Sequence, residues 1–291
     1  MIQSRKPAWL TSQKTGGRKA REIISYLRRY NLHTVCESAR CPNRGECFER
    51  GTATFMILGE TCTRNCTFCA VNKDKSLLQP PDPAEPDSLA ELAALLELQH
   101  VVITTVTRDD LPDGGAGQFI KVIEALRRSC RPDVSIEVLI SDLQGDAEQI
   151  ARIVRATPDV LNHNVETVSR LYPLVRPQAD FRRSLRLLQQ ARELAPDMIT
   201  KSGFMVGLGE SREEVISLLE DLRAADVNLV TIGQYLAPSD QHFPVAEYVH
   251  PDIFSQYREA GIKLGFQLVE AAPLVRSSYH AEKARKFMKK G

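Results

Sequence analysis

Six short runs of β-branched and aromatic residues alternate with amphipathic helical patterns between residues 54 and 264, and this alternation restricts the fold more than any other feature. The strand candidates are TFMILG at 54–59, VVITTV at 101–106, VSIEVLI at 134–140, DVLNHNVE at 159–166, ITKSGFMVG at 199–207 and NLVTIGQY at 228–235. Each is bounded by turn or polar residues and is apolar enough for burial on both faces, as strands of parallel sheets are. Helical patterns follow at 87–99, 117–129, 146–156, 180–194, 211–224 and 252–264. In SREEVISLLEDLRAA, Ser211 and Glu214 have the spacing of a capping box, and Val215, Leu218, Leu219 and Leu222 form one apolar stripe. Parallel neighbours need long right-handed crossovers, so strands alternating with helices imply parallel pairing. The expected fold is α/β, a partial (β/α)6 TIM-like barrel; a doubly wound open sheet would give the same one-dimensional pattern. LLQPPDPAEPD at 77–87 reads as a loop because of its four prolines, and KARKFMKK at 283–290 reads as a solvated tail.

At 291 residues the chain is long enough for one barrel-sized domain or two smaller ones. Its 38 basic residues oppose 37 acidic ones, which gives no case for a nucleic-acid partner. No apolar run approaches the roughly 18 residues of a membrane span, so no membrane partner is expected. The N-terminus, MIQSRKPAWLTSQKTGG, has no apolar secretory core, and a cytoplasmic location is expected. Such a compartment is reducing, which favours metal ligation over disulfides for clustered thiols.

The thiols are clustered. Cys62, Cys66 and Cys69 lie in CTRNCTFC, directly after the first strand candidate, where parallel α/β folds place ligands. Their spacing would also make one helix face, but Thr61, Thr63, Asn65 and Thr67 are poor helix formers and favour a loop wrapped around something. Structural zinc needs four closed ligands, usually from paired Cys-x2-Cys knuckles, and only one such pair is present. A [4Fe–4S] cluster held by three thiolates fits better: one iron stays open, and an open position makes a metal site reactive. A second trio, Cys36, Cys41 and Cys47, stands just upstream in CESARCPNRGEC. Cys130 ends a helix and reads as a small buried or semi-exposed side chain.

Cys-x3-Cys-x2-Cys with Phe68 before the last cysteine resembles the radical S-adenosylmethionine (SAM) signature. The upstream Cys-x4-Cys-x5-Cys resembles the auxiliary-cluster motif of the lipoyl synthase family. The likeness continues through KPAWL, TRDDLPDGGAGQF, NHNVETVSRLYPLVRP, KSGFMVGLGE, IGQYLAPSDQHFPV and VRSSYHA. It implies a sulfurtransferase that inserts two sulfur atoms at C6 and C8 of an octanoyl chain amide-linked to a lysine of a carrier protein. It also implies two [4Fe–4S] clusters per chain and two SAM molecules consumed per lipoyl group, each cleaved to a 5′-deoxyadenosyl radical. The clusters would be a radical cluster on Cys62, Cys66 and Cys69 and an auxiliary, sulfur-donating cluster on Cys36, Cys41 and Cys47. The auxiliary cluster's fourth ligand would be a serine of RSSY, Ser278 with Ser277 as the alternative; a serine oxygen is harder than thiolate and suits iron less well, so that corner is labile. Partners implied are octanoylated E2 lipoyl domains or the glycine-cleavage H protein, a flavodoxin or ferredoxin as electron donor, and an iron–sulfur carrier that rebuilds the spent cluster. The organisation expected is an N-terminal extension at 1–50 with the auxiliary cysteines, a barrel at 51–265, and a segment at 266–291 closing over the barrel mouth. Rival readings are another radical SAM sulfur inserter, biotin-synthase-like, and a non-enzymatic zinc module.

Further cofactor-binding candidates follow from the same likeness. Asp113, Gly114 and Gly115 stand where the superfamily binds the SAM amino group, although the acid that normally follows the glycines is absent. Asn162, Asn164 and Glu166 end a strand and are candidates for ribose or the methionyl group, or for a strand-end cap. Lys201 would be costly to bury alone, so it meets a carboxylate or lines the mouth. Gly207 and Glu210 of GLGE permit backbone approach to a ligand and then start a helix. Arg176 is a candidate for the SAM carboxylate or an anchor of its own loop. Arg18, Lys19, Arg21, Arg28 and Arg29 read as a solvated helix face, with attraction of an acidic carrier domain as the alternative, and His33, His163, His242 and His280 as hydrogen-bonding residues.

Overall fold

A computed structural model describes residues 6–11, 17–39, 41–49 and 54–288; the side chain of Lys19 also lies outside the described set. One eight-stranded sheet runs in chain order: β1 (His33–Thr34), β2 (Thr54–Ile57), β3 (His100–Thr105), β4 (Ser135–Leu139), β5 (Val160–Asn162), β6 (Ile199–Val206), β7 (Leu229–Gln234) and β8 (Leu268–Ala271). β2 through β8 are parallel, and β1 joins β2 antiparallel. The sheet is a partial barrel, not closed between its outer strands. The six expected strands are β2 to β7. β8 is a further parallel strand, and two-residue β1 is too short to carry any alternation.

The crossover helices fall where periodicity placed them: Glu85–Leu95, Ala116–Ser129, Ala147–Arg155, Phe181–Leu194, Arg212–Ala224 and Pro251–Leu264. The Ser211–Glu214 capping box forms in both directions, and the stripe Val215, Leu218, Leu219 and Leu222 is buried against the sheet. Each such fully buried leucine is worth about 1.5–3 kcal/mol over an exposed one. The helix Arg18–Arg29 buries Ala20, Ile23 and Leu27 and turns Arg18, Arg21, Arg28 and Arg29 to solvent.

Two expectations are corrected. The proline-rich loop ends early: Glu85, Pro86 and Asp87 form the first helical turn, where proline's missing N–H costs nothing. The basic tail is not free in solvent. Residues Ala281–Phe287 form a 3-10 turn at the N-terminal end of the barrel, where Ala284 packs on Val160, Ile199 and Leu229, the first residues of β5, β6 and β7. Arg285 donates to Gln99 at 2.8 Å, and Lys283 meets Glu270 at 2.5 Å. Small alanines make that close packing possible while the long cations lie across the rim. Only the part of the C-terminal segment before this turn reaches the opposite end, the barrel mouth.

Among the described residues, no helix is long and apolar enough to cross a membrane.

Candidate active site

A cavity of about 520 Å3 opens at the C-terminal ends of the parallel strands, and all six clustered cysteines line it. That size is within the about 300–1,000 Å3 of small-molecule sites. Cys62, Cys66 and Cys69 come from the loop after β2, and Thr63, Arg64, Asn65 and Thr67 between them are each tied down. Thr63 donates both its N–H and its hydroxyl to Thr107 O, at 2.9 and 3.0 Å, and Asp109 N donates back to Thr63 Oγ1 at 3.0 Å. Asn65 N reaches Gln178 at 2.6 Å, and Thr67 N donates to Val175 O at 3.0 Å. Arg64 is buried between two carboxylates, with bonds of 2.6 and 2.9 Å to Asp109 and 2.6 Å to Asp142. The short polar residues that argued against a helix are therefore the loop's anchors.

The upstream trio is held differently. Cys36 lies in the turn Val35–Ser38 and Cys47 in the short helix Arg44–Glu49; Cys41 stands between them, its N–H donating to Cys36 O at 3.1 Å. The ties of this region run to the C-terminal segment. Asn43 Nδ2 donates to Leu274 O at 2.6 Å, and the Tyr279 hydroxyl donates to Glu46 at 3.2 Å. The same segment passes so close to β7 that a Cβ on Gly233 would strike Val275 O. This brings Ser277 and Ser278 onto the cavity wall with the cysteines.

The two serines are not equivalent. Ser277 donates its hydroxyl to Asn164 Oδ1 at 2.9 Å and accepts from Asn162 Nδ2 at 3.2 Å. The Ser278 hydroxyl has no hydrogen-bond partner among the described residues, though it lines the cavity.

Burial raises the thiols of Cys36 (to about 11), Cys69 (to about 12) and Cys66, with Arg176 pulling Cys66 back down. Thiols of this kind ionise readily only with a cation beside them, as iron would be. Among the described residues, no three His, Cys, Asp or Glu side chains converge as ligands of one ion must. Cubane ligands are spread over four irons, and the donor set of three thiols plus three thiols and an uncommitted hydroxyl fits two such groups.

Phe68, Asn164, Glu166 and Arg176 also line the cavity. Arg176 is buried, donating to Asn164 O at 3.1 Å and Tyr172 Oη at 3.1 Å, and its Nε has no hydrogen-bond partner among the described residues. Burial raises the Glu166 carboxyl, opposed by Arg176. Glu166 also holds a left-handed backbone, φ 65°, the kind of local strain that gathers at ligand sites. A carboxylate and a guanidinium with free capacity suit the ammonium and carboxylate of an amino-acid ligand.

The other cofactor-binding candidates, Asp113, Gly114, Gly115, Asn162, Lys201, Gly207 and Glu210, do not line the cavity. Asp113 caps the next helix, accepting from Gly115 N and Gly117 N, while Gly114 and Gly115 make its left-handed turn. Glu210 accepts from Gly207 N and Leu208 N within its own turn. Asn162 and Lys201 are buried inside the barrel, where Lys201 meets Glu137 at 2.8 Å. His163 is also buried, bonded to Ile140 O and Ser184 Oγ, but it does line the cavity. Cys130 is partly buried at a helix end. Sequence reasoning missed Arg64, Asp109, Asp142, Asn43 and Glu46; an arginine set among loop thiols was the one available signal.

A model of the radical SAM superfamily matches residues 56–222. The chain resembles methylornithine synthase (14% identity, TM-score 0.55, covering 74% of this chain and 70% of that one) and the hydrogenase maturase HydG (14%, 0.56, covering 79% and 61%). These two likenesses concern the fold alone. Fold, thiol loop and family match together define a radical SAM enzyme, a class that uses SAM and a [4Fe–4S] cluster. The lipoyl synthase of Caldicellulosiruptor saccharolyticus is 52% identical over 288 residues, 99% of this chain and 100% of that protein. Those of Caldanaerobacter subterraneus subsp. tengcongensis (55% over 278 residues, 96% of each) and Rubrobacter xylanophilus (50% over 286, 98% and 88%) are similar to the same extent. The chain belongs to the lipoyl synthase family of radical SAM sulfurtransferases.

Proposed function

We propose that this enzyme inserts two sulfur atoms, at C6 and C8, into the octanoyl chain of an N6-octanoyl-lysine on a lipoyl carrier protein, giving N6-lipoyl-lysine, with an auxiliary [4Fe–4S] cluster as sulfur donor. The observation that carries the reading is the meeting of two cysteine trios on one cavity. Cys62, Cys66 and Cys69 would hold the radical cluster. Cys36, Cys41, Cys47 and Ser278 would hold the donor. Ser278 is preferred to Ser277 because the Ser277 hydroxyl already spends its proton on Asn164 and accepts from Asn162.

When bound, the radical cluster and SAM supply hydrogen abstraction from unactivated carbon, which no side-chain base can deprotonate. The chain's own residues bind, orient and exclude water. Arg176 and Glu166 would take the two ends of the SAM amino acid, with Asn164 beside them. Val71, Ile140, Leu236 and Phe68 give the cavity wall the apolar character an octanoyl chain needs. Partners of stated chemistry complete the reading: an octanoylated E2 lipoyl domain or H protein, a low-potential flavodoxin or ferredoxin, and an iron–sulfur carrier, all in a reducing cytoplasm.

The test is a mass spectrum of an octanoylated carrier peptide after anaerobic incubation with reconstituted enzyme, SAM and reductant. Gain of two sulfurs is the expected result; an unchanged peptide would overturn the proposal.

A further inference from the structure

Beneath the cavity, inside the barrel, lies a charged cluster that the proposed chemistry does not use. Glu137 of β4 is fully buried, and its Oε1 accepts from Lys201 Nζ of β6 at 2.8 Å and from Asn162 Nδ2 of β5 at 2.9 Å. Its other oxygen lies 3.4 Å from His100 Nε2 of β3. Apolar residues of equal volume fill such barrels without the desolvation cost of buried ions, so stability alone does not account for the cluster.

Its outward connection supplies the reason. The Asn162 amide that donates to Glu137 also donates to Ser277 Oγ at 3.2 Å, and Ser277 passes its own proton to Asn164 Oδ1 at 2.9 Å. A continuous hydrogen-bonded path therefore runs from a rigid ion pair on the barrel wall to the residue preceding Ser278. Asn43 and Glu46 grip the same segment from the other side, through Leu274 and Tyr279.

We propose that Glu137, Lys201 and Asn162 are positioning residues that lock Ser277 and so present Ser278 to the auxiliary cluster. The proposal rests on the reading of Ser278 as that cluster's fourth ligand. Partners lying behind metal ligands in this way change metal retention by about 10–100-fold when removed.

The test follows iron release to a ferrous chelator from anaerobically reconstituted protein, with thermal unfolding measured alongside. Asn162→Ala is expected to release auxiliary-cluster iron about tenfold faster than the parent. Asn162→Ala/Ser277→Ala should be no faster than Ser277→Ala alone, because members of one path are not additive. Ser277→Thr, which keeps the hydroxyl, should release at the parent's rate. Should Asn162→Ala fail to fold, the charge-free pair Glu137→Leu/Lys201→Met removes the same anchor and is expected to release faster too. Parent-like release from the folded variants, or additive effects at Asn162 and Ser277, overturns the positioning role. Ser278→Ala separates the two ideas: if it releases iron at the parent's rate the ligand reading falls, whereas rapid release from Ser278→Ala with parent-like Asn162→Ala leaves that reading intact and removes only the positioning role.

Discussion

The two cysteine loops face one cavity but are built on opposite principles. The loop carrying Cys62, Cys66 and Cys69 grows from the end of β2, the first of the parallel strands, and is fastened by backbone bonds and a buried ion-pair cluster around Arg64. The loop carrying Cys36, Cys41 and Cys47 follows a two-residue strand at the sheet edge and leans on a C-terminal segment through Asn43 and Glu46. A cluster that serves every turnover calls for the first construction. Under the proposed function, a donor cluster that is dismantled and rebuilt would suit the second, because local opening is easier where a loop is held by few bonds.

The largest effect should separate the loops outright. Cys62→Ala is expected to reduce SAM cleavage to background, read as 5′-deoxyadenosine formation. Cys41→Ala should abolish lipoyl product while cleavage continues; product from that variant would erase the distinction between the loops.

Stability sharpens the contrast. Arg64→Ala leaves Asp109 and Asp142 without their shared cation, and breaking a buried pair in this way costs about 3–5 kcal/mol. Asn43→Ala removes one neutral hydrogen bond and should cost about 1 kcal/mol. Urea unfolding of the cluster-free chain measures both, and equal losses would mean the loops are equally anchored.

Acid should attack the barrel side in two stages. His163 is pushed down to about 4 by burial and by Arg176, so the unfolded chain takes up its proton first. Its contribution is complete above about pH 6.5 and is lost as pH falls toward 4. Glu137 and Asp142 are held at about 2 against the cost of burial, by Lys201 and His100 and by Arg64. Their folded values are also depressed, so their contribution is present above about pH 4.5 and drains away toward 2. Chemical unfolding across this range should show both stages, with the lower one absent in Glu137→Leu/Lys201→Met to the extent that Glu137 supplies it. The smallest effect is expected far from either loop: Arg285→Ala breaks a half-exposed contact to Asp133 and Gln99 and should change stability by less than about 1 kcal/mol.

The strand–helix alternation, the capping box at Ser211 and the spacing of both cysteine trios could be read directly, because each is a local pattern that a few neighbouring residues complete. Arg64 could not be paired in advance: its carboxylates lie 45 and 78 residues away. On sequence alone, Asn162 reads as a ligand residue or a strand-end cap, and Lys201 as meeting a carboxylate or lining the mouth, with nothing to choose between them. Strand geometry turns alternate side chains to opposite faces, and only the sheet's register shows that these two meet Glu137 inside the barrel. Pro86 counts toward a loop when the sequence is read alone, whereas in the first turn of a helix it is a favourable residue.

By itself, then, the order of residues determined a parallel α/β fold with two thiol trios, since periodicity and spacing are short-range properties. Which serine is free, which acid neutralises Lys201 and what covers the far end of the barrel were decided only when β4, β5, β6 and the C-terminal segment came together. The pairing of Asn162 with Ser277 joins residues 115 positions apart, and such energies exist only in the packed, water-excluded interior that folding creates.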